Sequence, residues 1–159
     1  MKIQIICVGK LKEKYLKDGI SEYSKRLLRF CNLEIVELSD EKIPQNPSEA
    51  ECQKVIETEG SEIMKRINKD SYVISLCVEG KPLTSEAFAN KFSEITLSGK
   101  SSITFIIGGS LGLSDEIKKR SDFRLSFSSF TFPHQLMRLV LTEQIYRAFK
   151  INANEEYHK

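Results

Sequence analysis

Ser102-Ile-Thr-Phe-Ile-Ile107 is an apolar run that passes directly into Gly108-Gly-Ser-Leu-Gly112, and Ser114 follows. Such a run reads as a strand buried on both faces. The glycines read as a turn, and Ser114 is placed to cap a helix reaching about Arg120. Strand, turn and capped helix in succession form the repeating unit of an α/β sheet. The alternation continues on both sides of this unit. Upstream, Lys2–Val8 reads as a strand closed by Gly9. Glu13–Phe30 reads as a helix, with Tyr15, Leu16, Ile20, Tyr23, Leu27 and Phe30 near helical spacing. Leu33–Leu38 alternates apolar and acidic residues, as a strand with one solvated face does. A proline-containing loop, 43–48, leads to a charged helix over Glu49–Ile67. Tyr72–Val78 is a buried-type strand, and a helix starts at Thr84 and runs to about Leu97. Downstream, Phe123–Phe127 is a short last strand, and Pro133 opens a helix from His134 to about Lys150. Strands joined by helical crossovers predict an α/β fold with a mainly parallel sheet flanked by helices.

The 159 residues fit one domain spanning 1–159. Hydrophobic residues make up 40% and charged residues 29%, a globular balance. With 24 lysines and arginines against 22 acids, the net charge is +2, which excludes a strongly basic tail-type nucleic-acid binder but not a local basic face. No apolar run approaches the roughly 20 residues that span a bilayer, so no membrane partner is expected. The first residues read as a strand and not as a signal peptide, because no small-residue cleavage site follows. Cys7, Cys31, Cys52 and Cys77 show no C-x-x-C spacing, and only two histidines accompany them. No metal site is expected, and the thiols read as reduced and buried in a cytoplasmic protein.

Ligands of an open parallel sheet bind beyond the carboxyl ends of its strands. That rule selects Gly9-Lys10, Val78-Glu79-Gly80, Gly108 to Gly112 and Ser128 to Pro133. The glycine turn has GGxxG spacing after a late strand, so it is neither the dinucleotide fingerprint nor a P-loop. It suits either close approach of a ligand to the backbone or a tight turn alone. Phe127, Ser128, Ser129, Phe130, Thr131 and Phe132 mix apolar walls with hydroxyls. The mixture fits a flat aromatic ligand such as adenine, or a strand with core phenylalanines. Leu136 to Phe149 can serve the core or a dimer interface, and Arg138 and Arg147 can meet phosphate or structural acids. Lys10, Lys12, Lys14 and Lys17 make the loop after the first strand locally basic. The ending Tyr157-His158-Lys159 can stack on and contact RNA, or simply fray.

Five segments together resemble one family along the whole chain. They are Lys2-Ile-Gln-Ile-Ile-Cys-Val-Gly9, Ile106-Ile-Gly-Gly-x-x-Gly-Leu-Ser114, Thr131-Phe-Pro-His134, Gln144-Ile-Tyr-Arg-Ala148 and Tyr157-His-Lys159. The combination resembles the RlmH family, large-subunit ribosomal RNA methyltransferases of the SPOUT superfamily that modify a pseudouridine at N3. Ser110-Leu111 stands where many members carry a proline and an acidic residue. The resemblance implies a SPOUT-type α/β domain with a C-terminal trefoil knot, S-adenosyl-L-methionine as cofactor, and a homodimer. Its substrate would be 23S rRNA in the assembled ribosome. The implied cofactor site is Leu76, Gly108, Gly109, Gly112 and Phe127 to Phe132.

N3 of pseudouridine begins as an imide N–H, so methylation needs proton removal and in-line positioning. His158 is the first candidate base, reaching the site from the partner protomer on a mobile tail. His134 is the second. Tyr157 is placed to stack on the target, and Arg138 to hold phosphate. Three other readings remain: a SPOUT enzyme acting on tRNA or another base, a ribosome assembly factor without catalysis, and a nucleotide-dependent oxidoreductase, which the glycine position and spacing disfavour.

Overall fold

The computed structural model describes residues 1–158, so Lys159 of the predicted ending lies outside it. Along the chain run β1 (Lys2–Val8), α1 (Lys14–Leu27), β2 (Asn32–Leu38), α2 (Glu49–Arg66) and β3 (Tyr72–Pro82). They are followed by α3 (Ser85–Leu97), β4 (Ser102–Ile107), α4 (Asp115–Arg120), β5 (Phe123–Ser126) and α5 (His134–Asn152). The strands form one sheet in the order β2-β1-β4-β3-β5, and every pairing is parallel. The expected α/β class with a parallel sheet flanked by helices is therefore the observed one.

Successive strand residues face opposite sides, and the core divides accordingly. Ile3, Ile5 and Cys7 of β1, with Ile103, Phe105 and Ile107 of β4, point to one side. There they pack on Leu27 of α1, Phe88 and Phe92 of α3, and Leu141 and Ile145 of α5. Ile6, Val8, Val73 and Ile106 face the other side, against Ile63 of α2 and Ile117 of α4. β4 lies in the middle and is buried at all its positions, as a central strand covered by helices on both faces is. Phe105, with no exposed surface, is worth about 2–3 kcal/mol of transfer free energy on this account.

Local signals set the helix starts. Ser48 forms a full capping box with Glu51, and the Ser114 hydroxyl accepts from the Ile117 amide. Several boundaries differ from the sequence reading. α1 ends at Leu27 instead of Phe30, because the amides of Phe30 and Cys31 both bond the Leu27 carbonyl, at 2.9 and 3.0 Å, and turn the chain toward β2. β3 continues past Val78 to Pro82, because after an irregular stretch Lys81 rejoins β5 opposite Leu125. β5 stops at Ser126, and α5 extends to Asn152. Cys77 also departs from expectation. Of the four thiols read as buried, Cys7 and Cys31 are, and burial pushes them up to about 12 and about 11, but Cys52 is only half-buried and so is Cys77. It sits where β3 leaves its regular register.

Candidate active site

The carboxyl ends of β3 and β4 open onto a cavity of about 420 Å³. Leu76 and Cys77 bring β3 to it, Gly108 to Leu113 form one wall, and Phe127, Ser128, Phe130, Thr131 and Phe132 form another. His134 and Met137, from the first turn of α5, close the base. The glycine turn is folded tightly: the Gly112 amide donates to the Gly109 carbonyl at 3.1 Å. Gly112 has φ +86°, which side-chain-bearing residues rarely adopt. A methyl group on Gly108 would lie 2.9 Å from the Gly112 carbonyl oxygen. The sequence of this turn is thus a requirement of its geometry.

The opposite wall is apolar and open. Phe130 is 79% exposed and Phe132 39% exposed, both on the cavity lip. The Ser128 hydroxyl accepts from the Phe130 amide at 3.0 Å and fixes the bend between them. One ion pair stands at the mouth, Glu79 with Lys118 at 2.6 Å. Each member holds the other charged: the Lys118 partner lowers the Glu79 carboxyl, and Glu79 raises the Lys118 ammonium.

Of the expected cofactor residues, the structure brings together Leu76, Gly108, Gly109, Gly112, Phe127, Ser128, Phe130, Thr131 and Phe132. Ser129 does not line the cavity. Val78 and Glu79 stood on the rim selected by the carboxyl ends of the strands but were not singled out as site residues. Lys118 and Met137 lie one turn inside helices, where the sequence carries no signal for them.

The four candidate catalytic residues separate. His134 lines the cavity, close against Gly9: a methyl group on Gly9 would lie 3.1 Å from its Nε2. Arg138 has no exposed surface. Its guanidinium donates to the Glu37 carboxylate and to the Gly9 carbonyl, the latter at 2.9 Å. Of its two readings, phosphate contact or structural acid, the structure has the second: a buried tie between β1, β2 and α5 that a phosphate cannot reach. Burial pushes the Glu37 carboxyl up, but the Leu11 amide and Arg138 together outweigh it and hold the group below its ordinary range.

Tyr157 and His158 also lie off the cavity, and the expected frayed tail is docked. The Tyr157 ring meets Tyr146 edge-on with centroids 4.9 Å apart, and Arg147 sits over it at 4.6 Å. Its hydroxyl donates to Glu143 at 3.0 Å. Burial, with Tyr23 and Glu143 beside it, raises the Tyr157 hydroxyl well above its ordinary range. His158 Nδ1 accepts from Arg147 at 3.3 Å, which leaves Nε2 as the donor toward Glu86 at 2.7 Å. Glu86 is lowered to about 2 by main-chain hydrogen bonding, His158 and Thr84. Both ring nitrogens are thus in use on the chain's own surface.

A second cavity of about 350 Å³ lies beyond the glycine turn and shares Gly109, Ser110, Leu111 and His134 with the first. Asp40, Glu41, Lys42 and Glu59 also line it. Glu59 belongs to the helix read as charged and amphipathic and was not singled out there, yet it is 6% exposed. Its place on the Val55–Glu59–Ile63 stripe, at four-residue spacing, was the available signal. Among the described residues, no group of three or more His, Cys, Asp or Glu could hold a metal ion, and no helix is long and apolar enough to cross a membrane.

The cavity lining fits S-adenosyl-L-methionine: Phe127, Phe130 and Phe132 offer flat apolar walls for adenine, beside the main-chain polar groups of Gly108 to Leu113.

Comparison with known proteins follows the same line. Residues 1–158 match the family described as "Predicted SPOUT methyltransferase". Proteins named ribosomal RNA large subunit methyltransferase H from Streptococcus uberis and Clostridioides difficile are 58% and 57% identical over 159 residues, covering 100% of this chain and of each relative. A solved structure of a probable methylase family protein from Haemophilus influenzae aligns with TM-score 0.56 at 14% identity. It covers 99% of this chain and 70% of that one, a likeness of fold.

Proposed function

This chain belongs to the SPOUT methyltransferase family, and we propose that it methylates N3 of a pseudouridine in 23S rRNA, on assembled ribosomes, with S-adenosyl-L-methionine as methyl donor. The observation that carries the reading is full-length identity near 58% to relatives named for large-subunit ribosomal RNA methylation. The cavity built from the glycine turn and the 127–132 segment agrees with it.

When bound, the cofactor supplies a methyl group made electrophilic by a sulfonium. The chain's own part is to bind, orient and exclude water. Leu76 and the Gly108 backbone would hold the adenosine end, with Phe127, Phe130 and Phe132 against the adenine faces. The low polarity of these walls favours a reaction in which positive charge is lost at sulfur. The imide proton at N3 has to leave before the nitrogen lone pair can attack. His134 is at the cavity and is the base available within one protomer. His158 would serve only after its tail leaves Glu86 and Arg147. In a homodimer that released tail would reach the partner's cavity, with Tyr157 stacking on the target nucleotide.

A net charge of +2 gives little general attraction for naked RNA. A ribosomal surface would supply shape-specific contacts instead. The test is transfer of labelled methyl from S-adenosylmethionine to ribosomes lacking the modification, followed by nucleoside mass spectrometry. Label in N3-methylpseudouridine is the expected result. Label in another nucleoside, or in tRNA, would replace the target. No label and no donor binding would favour an assembly factor.

A further inference from the structure

Glu59 lines the second cavity, and its Oε2 has no hydrogen-bond partner although the residue is 6% exposed. Its Oε1 accepts from the Glu41 amide at 3.0 Å. An isolated buried carboxyl is costly to fold around, so an orphaned one calls for a donor from outside the chain. We propose that this second cavity seats the α-ammonium group of the methyl donor's amino-acid arm, with Glu59 as its carboxylate partner. The proposal rests on the methyl-donor reading above and extends it to a residue outside the adenosine site.

Three observations support the assignment. First, the donor is bipartite, with a flat base at one end and an amino acid at the other, and the two cavities are joined along Gly109 to Leu111 and at His134. The aromatic cavity suits the base. The second cavity, with Asp40, Glu41 and Glu59 against Lys42, suits a cation. Second, among the described residues the aromatic cavity has no carboxylate to spare: Glu79 is its only acidic lining residue and is paired with Lys118 at 2.6 Å. Third, Glu59 touches the glycine turn directly. A methyl group on Gly109 would lie 2.8 Å from Glu59 Oε2, so the carboxyl is held against the turn that separates the cavities.

Burial raises the Glu59 carboxyl, with the Asp40 and Glu41 carboxylates adding to it and the Glu41 amide opposing. A bound ammonium would favour the ionised form. RNA is a poor occupant, since its phosphates would meet three acids. Oε2 has no surface open to water, so entry requires the exposed Asp40–Ile43 segment to give way.

The experiment is calorimetric titration of the full chain with S-adenosylhomocysteine and with methylthioadenosine, which lacks the amino-acid arm. Glu59→Gln keeps the shape and removes the charge. We expect it to weaken S-adenosylhomocysteine at least tenfold and to leave methylthioadenosine within twofold. Equal weakening of both ligands would make Glu59 a pin for the glycine turn and overturn the proposal. So would no change in either, or unchanged donor affinity with lost single-turnover methylation, which would place Glu59 on the RNA. If the variant does not fold, the wild-type chain is titrated with deaminated S-adenosylhomocysteine. Tenfold weaker binding supports the proposal, and equal binding overturns it. A wild-type chain that binds none of these ligands refutes the donor reading itself, a result distinct from each of the others.

Discussion

Arg138 donates across 2.9 Å to the main-chain carbonyl of Gly9, 129 positions earlier in the chain. The contact ties the end of β1 to the first turns of α5, and the same guanidinium holds Glu37 at the end of β2. His134, one turn before Arg138, is thereby set at the cavity. Arg138→Ala removes both bonds and leaves a void where the side chain was fully buried. We expect a loss of about 3 kcal/mol in urea unfolding, typical of breaking a buried pair from one side. Arg138→Lys should recover only part of it, because an ammonium cannot make the same fork.

The Glu37 carboxyl is held below its ordinary range in the fold. Its stabilisation is therefore complete above the unfolded carboxyl pKa, about 4.3, and is lost as pH falls through the lower folded value. Stability measured by urea between pH 6 and pH 3 should fall, and Glu37→Gln should flatten that fall. An unchanged slope in the variant would show that other carboxylates carry it.

Gly108 and Gly112 should respond differently to alanine. At Gly108 the new methyl meets backbone at 2.9 Å, which cannot yield without deforming the turn. At Gly112 nothing lies within 4 Å, and only the positive φ is unfavourable, at about 1–2 kcal/mol. Donor binding by calorimetry should be abolished in Gly108→Ala. It should survive in Gly112→Ala, with reduced thermal stability.

The docked tail makes a further pair of expectations. Tyr157→Phe loses the bond to Glu143 but keeps its packing on Tyr146, so stability should drop by about 1 kcal/mol. His158→Ala should cut single-turnover methylation strongly while donor affinity stays near normal. Unchanged single-turnover rates would remove His158 from the mechanism and leave His134 as the base.

Ribosomes and naked RNA should differ as substrates. With so small a net charge, binding to free 23S RNA should be weak. Methylation rates on assembled ribosomes should exceed those on extracted RNA greatly. Comparable rates would mean that a local RNA element suffices.

Much of the site was legible because its signals are local. A glycine turn after a buried strand, and hydroxyls mixed with phenylalanines before Pro133, are properties of neighbouring residues. They marked Gly108 to Gly112 and Phe127 to Phe132, of which only Ser129 turned away from the cavity. Phosphate and a structural acid both stayed open for Arg138, because the partners that decide it, Gly9 and Glu37, are more than a hundred positions away. Glu59 was missed because one acid in a charged helix reads as solvated until the glycine turn is packed against it. The tail was expected to be loose because nothing in its own sequence reveals the Tyr146, Glu143 and Glu86 surface that receives it.

The sequence by itself determined the alternation of strands and helices and which face of each is apolar, since period and burial are written within a few residues. Only the tertiary structure decided the order β2-β1-β4-β3-β5, and with it which loops share a rim. Strand order depends on pairings between distant segments, and no local pattern encodes them. The cavity, the Arg138 tie and the unpartnered Glu59 carboxyl follow from that order.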